Sequence, residues 1–216
     1  MNALKLIPAA LLFFYASAAS ALNWFEYVNT EDLFTVNFPA EPTLTEAPYI
    51  SEYGSPFIAK RYSATDGSVQ YSVTVVDMTN SAREEGRRGT EWRGATGYAA
   101  TAIRQTGEVT FDGYAEINVI PGQQLQVTLP DGSRNFANVH FHKHRLYIIE
   151  AIAPPGAPPP AHFQASWAVT DEAGNRLRYL EADHSFPDDY PLARRGDETL
   201  VNEDDVISIG EAQTQN

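Results

Sequence analysis

The sequence predicts an α+β domain built on an antiparallel sheet flanked by helices. Three observations predict it. Short runs such as Phe34-Thr35-Val36-Asn37-Phe38 and Val69–Val75 alternate apolar and polar residues with the period of two that marks strands. Hairpin turn signals punctuate those runs, Asp66-Gly67 first among them. One run, Leu146 to Ala153, is apolar on both faces, which places it centrally in a sheet that needs cover on each side.

The elements follow in order. Phe34, Val36 and Phe38 form a strand that Pro39 and Pro42 end. A second extended stretch covers Leu44 to Tyr53, and Gly54-Ser55-Pro56 turns it into Phe57–Tyr62. Val69, Tyr71, Val73 and Val75 share one face of the next strand. Ser81 and Glu84 have the spacing of a capping box, although Gly86 and Gly89 interrupt a helix there. The main helix is predicted over 90–106, with Trp92, Ala95, Ala99, Ala102 and Ile103 on one stripe and Gly107 as its C-terminal stop. Further turns are predicted at Asp112-Gly113, Pro121-Gly122 and Asp131-Gly132, with a hairpin tip at Lys143-His144. Pro154–Pro160 is a stiff connector that leads into a short helix carrying Phe163 and Trp167. A turn at Glu172–Asn175 and a last short strand near Leu177 to Leu180 complete the body.

Composition sets the limits of function. The 216-residue chain has no cysteine, which excludes thiol catalysis, cysteine metal sites and a lipoprotein, which would need a cysteine at the cut site. The formal charge is −13, and ten acids against two arginines fall between Glu181 and Asn216. An acidic surface repels phosphate backbones and anionic bilayers, so nucleic acid is not an expected partner. Lys5, the apolar run Leu6–Tyr15, and Ala19 and Ala21 before Leu22 make residues 1–21 a cleaved secretory signal. That run falls short of the roughly 20 residues a membrane-spanning helix needs, so no stable insertion is expected after cleavage. The expected organisation is a signal at 1–21, a folded body at 22–182, and an acidic, disordered tail at 183–216.

Four segments carry a resemblance. Phe34-Thr35-Val36-Asn37-Phe38-Pro39-Ala40-Glu41-Pro42 resembles the F-x-V-x-F-P-x-x-P opening of exported bacterial proteins of the PsbP-like family. Pro121-Gly122-Gln123-Gln124-Leu125, Arg145-Leu146-Tyr147-Ile148-Ile149 and Phe163-Gln164-Ala165-Ser166-Trp167 resemble that family's later turn, central strand and closing helix. The resemblance spans about Trp24 to Trp167 and implies an α/β/α sandwich. The family includes the extrinsic photosystem II subunit and a nuclear-import factor that binds a small GTPase. Most of its bacterial members have no assigned activity, and it offers no shared catalytic set to carry over. The acidic tail departs from the family pattern.

Two clusters are candidate sites. His140 and His142 share one strand face, with His144 at the adjacent turn, and imidazoles at that spacing can chelate zinc or copper. His162 and His184 lie far along the chain, and the bland alternative is a polar strand end. Arg83, Arg87, Arg88 and Arg93 form a basic cluster suited to an anionic partner, to the chain's own tail, or simply to solvent. Asp188-Asp189 and Glu203-Asp204-Asp205 lack the alternating ligands and glycine turn of a calcium loop. No nucleophile motif or phosphate-binding glycine loop appears. The sequence therefore predicts a non-enzymatic, periplasmic or secreted binding or accessory module without a cofactor, whose partner is a cell-envelope protein or a small ligand. The alternative is a metal- or small-ligand-binding protein centred on His140 and His142.

Overall fold

The computed structural model describes residues 24–79 and 91–178. Ten strands and two helices lie within them: β1 (Phe25–Asn29), β2 (Phe34–Phe38), β3 (Thr43–Ile50), β4 (Pro56–Asp66), β5 (Val69–Asp77), α1 (Glu91–Arg104), β6 (Glu108–Ile117), β7 (Ile120–Thr128), β8 (Arg134–His142), β9 (Arg145–Ala153), α2 (Ala161–Ser166) and β10 (Ala168–Val169). Seven strands make one sheet in the order β3-β4-β5-β9-β8-β7-β6, and every neighbouring pair is antiparallel. A second, three-stranded antiparallel sheet has the order β1-β2-β10.

β9 is the central strand that its apolar faces predict. It pairs with β5 on one side and β8 on the other. Leu146 and partly buried Ile148 enter the core under α1, together with Val76, Leu125, Val127, Ala137, Val139 and Phe141. Ala95, Ala99, Ala100 and Ile103 are the buried side chains that seat α1 there. Tyr147, Ile149 and Ala151 face the opposite core, beside Phe34, Val36, Phe38, Tyr71, Val73, Phe163 and Trp167.

The expected α/β/α sandwich does not form. Helix α1 covers one face of the large sheet, but the other face is covered chiefly by the three-stranded sheet, with the six-residue α2 beside it. The reason lies in β2. Its apolar residues are those of a strand, but they pair with β1 and β10 and pack face to face on the large sheet rather than joining it.

Local expectations divide in the same way. Lys143-His144 forms the predicted tip, with both residues at positive φ (45° and 61°), and Gly132 turns at φ 82°. Gly174 turns at φ 85°, and Asp171 accepts from the backbone N–H groups of Ala173 and Asn175. Of the strand expected near Leu177 to Leu180, residues 179–180 lie outside the described residues; the chain before them makes a bridge, Thr170 to Arg176, and Leu177 N–H donates to the Val169 carbonyl. Asp112-Gly113 and Pro121-Gly122 are not turns, because they lie inside β6 and β7. The true turn is Asn118-Val119, with φ of 51° and 67°, between paired Ile117 and Ile120. Gly107 is not a left-handed helix stop either. A Cβ there would overlap the Thr128 carbonyl, so glycine lets the chain leaving α1 pass close to β7. On α1 itself Ala102 is exposed, and Ala100 is buried in its place. The expected signal, the Ser81–Glu84 capping box and the acidic tail lie outside the described residues.

Small and large sheets are pinned together through Asp32, at the turn between β1 and β2. The Tyr62 hydroxyl donates to its carboxylate, Lys60 reaches the same carboxylate at 3.2 Å, and the Tyr147 hydroxyl donates to its backbone carbonyl at 2.9 Å. Burial, reinforced by the Asp32 carboxylate, holds the Tyr62 phenol well above its ordinary range.

Two substitutions test these backbone readings by urea denaturation. Val119→Gly removes a β-branched residue from a left-handed conformation and should stabilise the fold by about 1 kcal/mol. Gly107→Ala should cost about 1–3 kcal/mol by overpacking against Thr128. An unchanged midpoint in either variant contradicts the corresponding local geometry.

Candidate functional site

The structure places His140 and His142 on one face of β8, as alternation requires, but it buries both. His140 is 0% exposed and stacks on Trp167, with centroids 5.1 Å apart and planes 15° from parallel. Gly122 makes room for it, since a Cβ at that position would overlap the imidazole. The nearby carbonyls of Ile120 and Pro121 favour the protonated ring, but neither forms a well-aligned hydrogen bond and desolvation outweighs them. Burial thus lowers the His140 pKa to about 4. For His142 burial, then the charges of Lys143 and Arg145, lower it to about 3. His144 sits at the turn tip. Among the described residues, no group of three or more His, Asp or Glu side chains is placed to hold a metal ion. A metal on His140 would have to displace the Trp167 stack.

Of the basic cluster, only Arg93 lies among the described residues, exposed in the first turn of α1. Arg83, Arg87 and Arg88 fall outside them.

The large sheet brings together two surfaces that single-residue reading missed. The first is a polar diagonal on the face that carries α1. Arg61 on β4 donates to the Ser72 hydroxyl on β5 at 3.0 Å and stands 3.8 Å from the Glu150 carboxylate on β9. Glu150 in turn accepts from the Asn135 side-chain amide on β8 at 2.8 Å. Register explains the grouping, because Ser72 faces Glu150 across β5 and β9, while Arg61 stands opposite Thr74, one step along the same face. Asn135 is buried, and its Oδ1 has no hydrogen-bond partner. The Arg61 side chain stays 42% exposed. Ser63, the cross-strand neighbour of Ser72, lines a shallow hollow of about 280 Å³ with Ala40, Glu41, Thr43, Ala64 and Thr65.

The second surface is an apolar stripe on the other face, along the edge hairpin β3–β4. Pairing sets Leu44 beside Tyr62, Pro48 beside Ile58, and Ile50 beside Pro56. Tyr62 is covered by the small sheet, but Leu44, Ile50 and Ile58 are about half exposed, at 48%, 50% and 55%. Glu46 and Lys60 form a polar rung within the stripe.

No protein-family model matches the chain, and no curated protein matches it. Among solved structures it is similar to the solution structure of cyanobacterial PsbP (CyanoP) from Synechocystis sp. PCC 6803. The two share 11% identity at a TM-score of 0.44, over 73% of this chain and 98% of that one. Among the described residues, no helix is long and apolar enough to cross a membrane.

The buried histidines make stability pH-dependent. The fold holds His140 neutral, so its contribution is fully present above pH ~6.5 and is lost as the pH falls through about 4. The shift amounts to about 3 kcal/mol in all. Unfolding free energies measured in urea at pH 7 and pH 5 should drop more steeply for the native chain than for His140→Phe. Parallel pH dependences would show that this ring does not set the slope.

Proposed function

We propose that this chain is an exported, non-enzymatic binding module that meets a cell-envelope protein through the β3–β4 hairpin. Export is read from the signal-like residues 1–21, and the bacterial PsbP-like kinship from the four segments named above.

The apolar stripe carries the reading. Isolated exposed apolar residues are ordinary on protein surfaces, but Leu44, Ile50 and Ile58 share one face, with Pro48 and Pro56 completing the rungs. They lie beside a strand edge that no other described strand pairs with, and Pro48 interrupts the row of backbone donors along it. Such an edge suits side-chain docking better than extension of the sheet by a partner strand. Glu46 gives the stripe a polar group that fixes orientation, as the polar parts of interfaces do, whereas Lys60 opposite it is held by Glu31 and Asp32.

A photo-activated cross-linker at position 58 of the full mature chain, exposed to the cell-envelope fraction, tests this. One discrete adduct is expected, and Ile50→Lys should weaken its formation at least tenfold while leaving the unfolding midpoint within a few degrees of native. An adduct that forms equally well with Ile50→Lys removes the hairpin as the contact surface.

A further inference from the structure

We infer that the outer edge of β6 is a strand-addition site for an extended segment of a partner protein, one that carries basic residues on one face and bulky apolar residues on the other. β6 and β3 are the two ends of the large sheet, so this edge stands or falls independently of the proposed docking surface on the β3–β4 hairpin.

The backbone comes first. β6 runs from Glu108 to Ile117, and among the described residues only β7 pairs with it. Asn118 and Val119 both have positive φ, the two-residue turn that closes on a hydrogen bond between Ile117 and Ile120. Antiparallel pairs alternate, so Ala115 and Gly113 bond to β7, whereas Asp112, Tyr114 and Glu116 turn their N–H and C=O groups outward. Proteins commonly blunt such a row with lysine, proline or a bulge. Here the bulge, between Val109 and Phe111, is confined to the start of the strand, and β6 contains neither lysine nor proline. The opposite edge, on β3, carries Pro48.

Side chains then select the occupant. Asp112 and Glu116 lie on the face that carries α1. Arg104 holds Asp112 at 2.8 and 3.1 Å, but among the described residues Glu116 meets no cation, only the Tyr114 hydroxyl, which donates to it at 2.9 Å. A second copy of the chain fits poorly. Two-fold pairing centred on the regular stretch Phe111–Ile117 sets Asp112 opposite Glu116 twice, and like charges facing across a ladder are destabilising. A strand with basic residues opposite Asp112, Tyr114 and Glu116 reverses that sign, and the Tyr114 ring, 69% exposed, offers a face to a cation. On the other face Phe111, 43% exposed, leans over Gly113 and with Ala115 and Ile117 makes an apolar strip. Main-chain bonds along the edge supply the pairing, and alternate side chains supply the choice of partner.

The full mature chain, titrated with an alternating lysine–valine heptapeptide and followed by amide chemical shifts, tests the inference. Saturable shifts centred on Phe111–Ile117 are expected. The same peptide N-methylated at its lysines keeps the charge but cannot pair with the edge, and it should bind at least tenfold more weakly, as should a glutamate–valine peptide. Tyr114→Pro removes an outward N–H without touching the β7 ladder, and should weaken binding at least tenfold relative to Tyr114→Ala. Absence of saturable shifts overturns the site. Equal binding of the methylated peptide overturns strand addition, and equal binding of the glutamate peptide overturns the basic partner. A dimer of the unliganded chain that Tyr114→Pro dissolves overturns the choice of occupant. The peptide comparisons use the native chain, so they decide the matter even if a variant fails to fold.

Discussion

The pairing of β9 with β5 is the constraint on which the rest of the structure depends. β9 lies inside the large sheet with its backbone committed on both edges and its side chains apolar on both faces. Neither face can be left to water, so each recruits its own cover. Leu146 and Ile148 call for α1, while Tyr147, Ile149 and Ala151 call for β2 and the Phe163–Trp167 segment. The same register fixes the polar residues. A slip of one position would turn Glu150 away from Ser72 and drive Tyr147 under the helix, so core and diagonal are specified together.

The two faces solve the packing problem differently. Under α1 the contact is made chiefly by Ala95, Ala99 and Ala100 with Ile103, and small side chains suit close packing of a helix on strands. On the other face the filling is aromatic. Tyr71 and Trp24 meet edge to face at 5.0 Å, while Phe163 lies 5.0 Å from Tyr71 and 5.3 Å from Phe38, spacings that aromatic rings favour. Asp32 adds a directional constraint that hydrophobic packing lacks, because its carboxylate and carbonyl hold side chains from β4 and β9 at once.

Much of the large sheet was legible in the sequence because its strands are half-buried and alternate. The central position of β9 followed from its two apolar faces, and the Lys143-His144 tip from the runs on either side of it. Glycine was the misleading signal. Gly113 sits within β6 and leaves space that the Phe111 ring fills, and Gly122 sits within β7 to admit His140. Both look like turn residues, whereas the actual turn uses Val119, a residue poorly suited to positive φ. The second sheet was hidden for another reason. β2 pairs with β1 close by but also with β10 near the other end of the body, and periodicity carries no information about distant partners. The diagonal shares that limitation, because Arg61, Ser72, Asn135 and Glu150 become neighbours only once the strand order is known. For His140 and His142 the shared face was readable, but the Trp167 lid was not.

The strand order also governs the sequence of events as the chain folds. β3, β4 and β5 form a local meander, and β6, β7, β8 and β9 form another, each joined by short hairpins. Local hairpins close in microseconds, whereas joining β5 to β9 means closing a loop that contains α1, β6, β7 and β8. Until that loop closes, β5 and β9 each present an unpaired, strongly apolar edge. Any species in which the meanders exist without their seam is open to intermolecular association along those edges. It is a two-part assembly written in one chain, joined at its centre by a seam that only the distant pairing of β5 with β9 makes.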